Sequence, residues 1–104
     1  MKFKMLGESS MHKQEASYLF KALSDETRVK IVKKLYHNDE LCACKILEFV
    51  DCSQPTLSHH LSLLVSSGLI NSRKEGKWTY YKANKEKIDE LMAFISTPCC
   101  CNKN

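Results

Sequence analysis

Cysteines are the residues of this sequence with the greatest capacity for chemistry. The chain has six of them among 104 residues. They form two groups: Cys42, Cys44 and Cys52, followed near the end by Cys99, Cys100 and Cys101. The N-terminus lacks the apolar stretch and cleavage site of an export signal, and thiols of cytoplasmic proteins are normally kept reduced. We therefore expect a cytoplasmic protein whose cysteines are chemically active thiols and not a disulfide framework.

Length and composition indicate one soluble domain. Single domains contain about 100 to 150 residues, so a chain of 104 residues excludes a two-domain enzyme. Hydrophobic residues make up 43% and charged residues 27%, and no apolar run approaches the length of a membrane span. A domain of this size buries only about 60–70% of its unfolded surface, which leaves little interior for a catalytic pocket. We therefore expect no membrane partner, and association into a dimer would add buried surface.

Positive charge is concentrated in one segment. The formal net charge is +4, and residues 71–87 contain six basic and two acidic side chains, a difference that accounts for the whole net charge. The basic side chains are Arg73, Lys74, Lys77, Lys82, Lys85 and Lys87. This segment is predicted to form a basic hairpin, with strands over residues 69–74 and 78–83 around Glu75-Gly76-Lys77.

Hydrophobic spacing predicts helices on both sides of the cysteine pair. Residues 11–23 have apolar side chains at the spacing of one helical face. Ser24 is the expected N-cap of a second helix that ends near residues 37 and 38, and Asp39 is expected to cap a short third helix over residues 41–50. On a regular helix, residues i and i+2 point about 200° apart, so Cys42 and Cys44 could bind one ion only if the turn unwound. We therefore expect ion binding to distort this helix.

The fourth predicted helix has an unusual exposed face. Ser53 is its expected N-cap, Pro55 fits its first turn, and Gly68 is its expected end. Residues 53–70 contain no Asp, Glu, Lys or Arg. The inward residues are Leu57, Leu61 and Leu64, and the outward residues include Pro55, His59 and Ser62. Because a solvated helix normally carries Lys and Glu, this uncharged face suits contact with a polar surface.

A fifth helix completes the predicted fold. Asn84 is its expected cap, and Ile88, Leu91, Met92 and Ile95 share one face before Thr97 and Pro98 end it. The resulting class is mainly α with a small β-hairpin wing. It is a winged helix-turn-helix of about five helices.

Four segments of this chain resemble the ArsR/SmtB family of metalloregulatory repressors. They are residues 40–44 (ELCAC), 53–61 (SQPTLSHHL), 67–70 (SGLI) and 73–81 (RKEGKWTYY). The segments follow the order and spacing of the family, and the resemblance covers residues 15–95. It implies a homodimer paired through the first and last helices that binds an inverted repeat in double-stranded operator DNA. Residues 1–96 would form the DNA-binding and dimerisation domain, and residues 97–104 a cysteine-rich tail.

The fourth helix and the hairpin are predicted to contact DNA. In a helix-turn-helix the second helix lies in the major groove, where its first residues reach base edges. The helix residues predicted to contact DNA are Ser53, Gln54, Pro55, Thr56, Ser58, His59 and His60. His60 adjoins the inward leucines, so packing or a phosphate contact is expected of it. Arg73, Lys74 and Lys77 are predicted to bind phosphates, while Trp78 and Tyr80 are expected to pack the wing against the body.

The cysteines are predicted to sense a soft ion. Thiolates select soft ions, and trivalent arsenic prefers three sulfur ligands. Residues 40–44 resemble the third-helix site of the family's arsenite and cadmium/lead sensors, which implies that Cys42 and Cys44 are ligands. The commonest arsenite sensors have a third cysteine at the position of Leu47. The third sulfur is therefore expected from Cys99, Cys100, Cys101 or Cys52, and a separate tail site is an alternative.

These predictions define a repressor that binds DNA when reduced and releases it on binding trivalent arsenic or antimony, with no organic cofactor. The resemblance implies an Asp and a His on the last helix of zinc-type members. Here Leu91, two residues after Asp89, stands in place of the histidine, so no zinc site is expected. A cadmium or lead sensor using four thiolates is one alternative, and a redox or persulfide sensor is another. A thiol oxidoreductase using the Cys-x-Cys pair or the tail is a rival of a different class, and the basic wing counts against it.

Overall fold

The computed structural model describes residues 11–96, which fold into five helices and three short strands. The helices are α1 (Lys13–Ala22), α2 (Glu26–Tyr36), α3 (Ala43–Leu47), α4 (Gln54–Ser67) and α5 (Lys85–Ser96). The strands are β1 (Leu41–Cys42), β2 (Ile70–Glu75) and β3 (Trp78–Ala83). None of the helices in this part of the chain has the length and apolar character needed to cross a membrane.

Strand β1 is a departure from the sequence-based prediction. Cys42 pairs with Tyr80 and Leu41 with Tyr81, so the antiparallel sheet has the order β1-β3-β2. The expectation that residues 41 and 42 belong to the third helix is wrong. Cys42 has an extended backbone and is itself the N-cap of the short helix α3, so Asp39 does not cap it. The edge of β3 supplies backbone hydrogen-bond partners for these two residues, and this tertiary pairing overrides the local helical pattern.

A side-chain cap fixes where helix α2 begins. The N-cap of α2 is Asp25, whose carboxylate accepts from the N–H groups of Thr27 at 2.9 Å and Arg28 at 3.3 Å. The expectation that Ser24 caps this helix is wrong, because its hydroxyl donates to the carbonyl of Lys21 at 2.8 Å. Asp25 has the more favourable position, since its carboxylate reaches two free N–H groups and adds negative charge at the helix N-terminus.

The predicted ends of α4 are confirmed. Ser53 accepts from the N–H of Thr56 at 3.4 Å, and Pro55 lies in the first turn. Gly68 ends the helix with a φ of 88°, a left-handed conformation that disfavours residues with a Cβ. These local signals fix the length of α4 independently of its tertiary contacts.

One apolar core holds the helices against the sheet. Its fully buried side chains are Leu19, Ile31, Leu35, Ile46, Leu57, Leu64, Leu69 and Ile70. The inward orientation of Leu57, Leu61 and Leu64 is confirmed, so the opposite face of α4 is directed away from the core.

Apolar side chains also remain exposed on α1 and α5. Tyr18 and Phe20 of α1 are 52% and 45% exposed, and Met92 and Ile95 of α5 are 48% and 58% exposed. The two helices are tied together by an ion pair between Lys87 Nζ and Glu15 Oε2 at 2.6 Å. Of the predicted apolar face of α5, only Leu91 is fully directed into the core.

Candidate DNA interface and thiol site

The start of α4 presents the residues that were predicted to read DNA. Gln54, Pro55, Thr56, Ser58 and His59 are all exposed, while the intervening Leu57 is buried. The hydroxyl of Ser53 is already engaged, because it caps the helix and donates to Thr56 Oγ1 at 3.0 Å. The exposed side chains provide amide, hydroxyl and imidazole groups, which are the groups that recognise base edges in the major groove.

His60 is separated from this exposed face. The residue is 9% exposed, and its Nδ1 lies 3.0 Å from Arg28 Nη1. Because a guanidinium has only donors, Nδ1 must accept this bond, which leaves the proton of the neutral ring on Nε2. That nitrogen lies 3.8 Å from Asp25 Oδ2. His60 is therefore a packed residue that holds α4 against the start of α2, and the structure gives it no open route to a base.

The Asp25 carboxylate is stabilised in its ionised form at this junction. Partial burial would raise its pKa, but the backbone N–H groups of Arg28 and Thr27 and the nearby charges hold the pKa of Asp25 below its ordinary value. Arg28 is anchored from the other side, since its Nε donates to the carbonyl of Ala22 at 2.7 Å. The position of α4 is thus fixed by a network that spans α1, α2 and α4.

The wing is a basic hairpin closed by Gly76, which has a φ of 64°. Lys74 and Lys77 are exposed and form no ion pair with any residue in the described range. Their ammonium groups are free to neutralise phosphates. Trp78, expected to pack the wing against the body, remains 51% exposed, so this packing is partial.

Arg73 differs from the two wing lysines. Its Nε and Nη2 donate to the two carboxylate oxygens of Glu40 at 2.8 and 2.9 Å, and its Nη1 donates to Glu75 at 2.7 Å. The guanidinium carbon also lies 4.8 Å from the centre of the Tyr80 ring. These contacts lower the pKa of Glu40 and raise that of Arg73. The role of Glu40 has no local signal in the sequence, because its partner Arg73 is 33 residues away.

The structure brings Cys42 and Cys44 together. Both are free thiols, and their Sγ atoms are 2.6 Å apart. The prediction that the pair could meet only by unwinding a helix is wrong, because Cys42 precedes α3 in an extended conformation and its side chain turns toward the first helical turn. The two sulfurs are therefore close enough together for one thiophilic ion to contact both.

The two thiols have different acidities. The hydrogen bond with the Cys44 thiol lowers the pKa of Cys42, and a backbone N–H at the start of α3 acts in the same direction. The same bond raises the pKa of Cys44. Cys42 is therefore the first of the pair to become a thiolate as the pH rises.

We expect Cys44→Ala to slow alkylation of Cys42 by iodoacetamide near neutral pH. The variant removes the donor that stabilises the Cys42 thiolate, so the pKa of Cys42 rises and a smaller fraction is reactive. The measurement is the alkylation rate of Cys42 against pH, followed by mass spectrometry. Cys52→Ala is the matched control and should leave the profile in place; an unshifted profile in Cys44→Ala would contradict the hydrogen bond.

The third sulfur is not supplied within the described residues. In residues 11–96, no group of three His, Cys, Asp or Glu side chains is arranged to hold a metal ion. Cys52 is half-buried and packs against the core, so the structure does not bring it to the pair. Cys99, Cys100 and Cys101 lie outside the described residues. Asp89, the remaining element of a zinc-type site, accepts a hydrogen bond from the Tyr36 hydroxyl at 2.6 Å.

Comparisons with known proteins give the same assignment as the fold. Residues 25–72 match the family described as bacterial regulatory protein, arsR family. The arsenical resistance operon repressor of Staphylococcus aureus is 42% identical over 82 residues, covering 79% of this chain and 78% of that protein. The chain belongs to the arsR family. Another member, the cadmium resistance regulatory protein CadC of Listeria innocua, is 50% identical over 76 residues, covering 73% of this chain and 64% of CadC.

Solved arsR-family structures confirm the winged helix-turn-helix. An ArsR-like transcriptional regulator from Rhodococcus sp. RHA1 has a TM-score of 0.69 and 28% identity, covering 79% of this chain and 76% of that one. Proteins of the arsR family are transcriptional regulators that bind operator DNA, and this chain is a DNA-binding regulator and not an enzyme. The resemblance on which the sequence analysis relied is confirmed.

Proposed function

We propose that this arsR-family regulator is a homodimeric repressor that trivalent arsenic releases from its operator. The observation that carries the proposal is the 2.6 Å separation of two free thiols, Cys42 and Cys44, directly beside the helix-turn-helix. The names of two relatives, an arsenical resistance operon repressor and a cadmium resistance transcriptional regulatory protein, support a thiophilic inducer. Two thiolates would come from this pair and the third from Cys99, Cys100 or Cys101. Antimony, which has the same valence, would act at the same site.

Cadmium or lead is the second candidate inducer. The 50% identity to CadC of Listeria innocua favours it, and so does the number of cysteines in the tail. The two candidates require different numbers of thiolates, because arsenite takes three sulfurs and cadmium would take four. Titration of free thiols during ion addition distinguishes them. A repressor switched by oxidation or persulfides would instead release DNA without any ion.

The thiol pair adjoins strand β3 of the wing and helix α3. Cys42 is paired with Tyr80 of the wing strand β3, and it also caps α3, the helix that precedes the recognition helix. Occupation of the pair would therefore act on the wing through the sheet and on α4 through α3. This route replaces the unwinding of a helix as the means by which the ion reduces DNA affinity.

The deciding experiment follows operator binding by fluorescence anisotropy. The reduced protein, in a phosphine reductant that does not compete as a dithiol, is bound to its upstream promoter DNA and titrated with arsenite and then with cadmium. Release by arsenite with loss of three thiols per ion is the expected result. Release by cadmium alone would identify cadmium, and not arsenic, as the inducer. DNA binding that neither ion disturbs would overturn ion sensing.

We expect Gln54→Ala and Lys77→Ala to weaken DNA binding in different ways. Loss of the exposed Gln54 amide should cost about 1–3 kcal/mol of discrimination between operator and mutated operator. Loss of the free Lys77 ammonium should weaken binding to all sequences and lower the slope of log affinity against log salt by about 0.9 per contact. Anisotropy over a salt series measures both. Lys30→Ala on α2 is the control for the wing, and an equal loss of slope in this control would contradict a phosphate role for Lys77.

A further inference from the structure

A closed ring of contacts connects the thiol pair to the wing. Glu40 stands two residues before Cys42, and its carboxylate accepts two hydrogen bonds from Arg73 of β2. Arg73 is opposite Tyr80 in the β2–β3 register, and Tyr80 is opposite Cys42 in the β3–β1 register. A movement of the segment that carries Glu40 and Cys42 therefore reaches Arg73 by two routes, the sheet and the ion pair.

The ion pair with Glu40 occupies the donors through which Arg73 could bind a phosphate. Glu40 binds Arg73 in a two-point arrangement through Nε and Nη2, with N···O distances of 2.8 and 2.9 Å. An arginine uses the same planar fork to bind a phosphate. Glu75 occupies Nη1 at 2.7 Å, and the Tyr80 ring covers one face of the guanidinium. Glu40 and a DNA phosphate are therefore alternative partners for the same donors of Arg73.

The neighbours of Arg73 show why this competition concerns DNA. Lys74 and Lys77 lie on the same hairpin with ammonium groups that no described carboxylate engages. Arg73 is half-exposed on the same hairpin, with its side chain on the opposite face of β2 from that of the adjacent Lys74. Once Glu40 is released, Arg73 adds a further free cation to this hairpin. Among the three basic residues at the hairpin tip, Arg73 alone is held by carboxylates of the described chain.

We propose that Glu40 is a positioning residue that withholds Arg73 from DNA phosphate, and that occupation of Cys42 and Cys44 keeps Arg73 withheld. In the ion-free protein, Arg73 exchanges Glu40 for a phosphate when DNA binds. An ion held by both sulfurs restrains the segment from Glu40 to Cys44, so the ion pair persists and the phosphate contact is lost. The second statement rests on the proposed function of the thiol pair, whereas the first does not.

Salt dependence provides the test, because each phosphate contact adds about 0.9 to the slope of log affinity against log salt. Operator binding is measured by anisotropy over a salt series, with and without arsenite, and with cadmium as a second probe. Wild-type protein should lose about 0.9 of slope per wing when arsenite is added. Arg73→Ala should have the lower slope in both conditions, and Glu40→Gln the higher slope in both.

The matched control is Glu48→Gln. It removes the same charge from the exposed end of α3, where the carboxylate forms no ion pair with described residues. Without ion, Glu40→Gln should bind operator about 1.4- to 5-fold more tightly per wing than this control, the range that corresponds to an exposed ion pair. Glu48→Gln should retain the wild-type change of slope on adding arsenite. Circular dichroism verifies that all three variants are folded.

The possible failures are distinguishable. Arsenite could release the DNA from wild-type protein without changing the slope of log affinity against log salt, or Glu40→Gln could behave like Glu48→Gln. In either case the role of Glu40 is overturned and the proposed function stands. If wild-type protein responds to neither ion, the proposed function is overturned. The role of Glu40 in withholding Arg73 is then decided by the ion-free comparison alone, in which Glu40→Gln must bind more tightly than Glu48→Gln.

Discussion

Cys42→Ser and Cys44→Ser should each leave operator binding intact and abolish its response to arsenite. Neither side chain belongs to the apolar core, since Cys44 is exposed and Cys42 is half-buried, so the fold should tolerate serine. Serine keeps the size of the side chain and removes the soft sulfur ligand. Coupling between an effector and its target is worth about 5- to 150-fold in affinity, and this factor should fall to 1 in both variants.

Anisotropy with labelled operator measures this loss directly, at one fixed salt concentration in reduced protein. Cys52→Ser is the control, because Cys52 packs against the core away from the pair and should retain the full response. If both single variants still release DNA on arsenite addition, the Cys42–Cys44 pair is not the sensing site. The candidate sensing site would then be a separate site formed by the tail cysteines.

The elements of this fold that the sequence predicted well are those with local signals. The start and end of α4 depend on Ser53, Pro55 and Gly68, whose preferences act within one helical turn. The inward leucines of the same helix follow from a period of 3.6 residues. Such features require no knowledge of the rest of the chain, so the recognition helix and its exposed face could be anticipated residue by residue.

The elements that the sequence did not predict depend on partners that are distant in the chain. Strand β1 has only two residues, and they are extended because β3 offers them a free edge. This pairing changes the chemistry of the site, since it places Cys42 before α3 and brings its sulfur to that of Cys44. Helical periodicity, in contrast, predicts that the two sulfurs lie on opposite sides of one helix. Because the sequence-based prediction places Cys42 inside the third helix, it also predicts wrongly that the helix must unwind before one ion can reach both sulfurs.

His60 combines a local signal with a distant partner. Its position beside the inward leucines predicts packing or a phosphate contact, and the residue is buried while its neighbour His59 is exposed. The partner of its ring, Arg28, lies 32 residues earlier, and no local pattern predicts that contact. The exposed face of α4 is therefore predictable from the sequence, whereas the distant partners that hold this helix in position are not.

The apolar surface of α1 and α5 leads to the last prediction, on the homodimer. Met92 and Ile95 lie three residues apart on one face of α5, and both are about half exposed, as are Tyr18 and Phe20 of α1. Burial of apolar surface is the main favourable contribution to association, so a second copy of the chain is the expected cover for these residues. We expect the wild-type protein to be dimeric and the double variant Met92→Glu, Ile95→Glu to be monomeric.

Loss of the dimer should reduce affinity for the complete operator by about 10²- to 10⁴-fold, because the two half-sites no longer benefit from a linked second binding event. Affinity for a single half-site should stay near that of the wild-type subunit, since α4 and the wing are unchanged. Sedimentation measures the oligomeric state, and anisotropy on full and half operators measures binding. Trp78→Glu is the control for oligomeric state, because this 51% exposed apolar residue lies on the wing and its replacement should leave the dimer intact. A double variant that remains dimeric would show that the two subunits meet through a different surface.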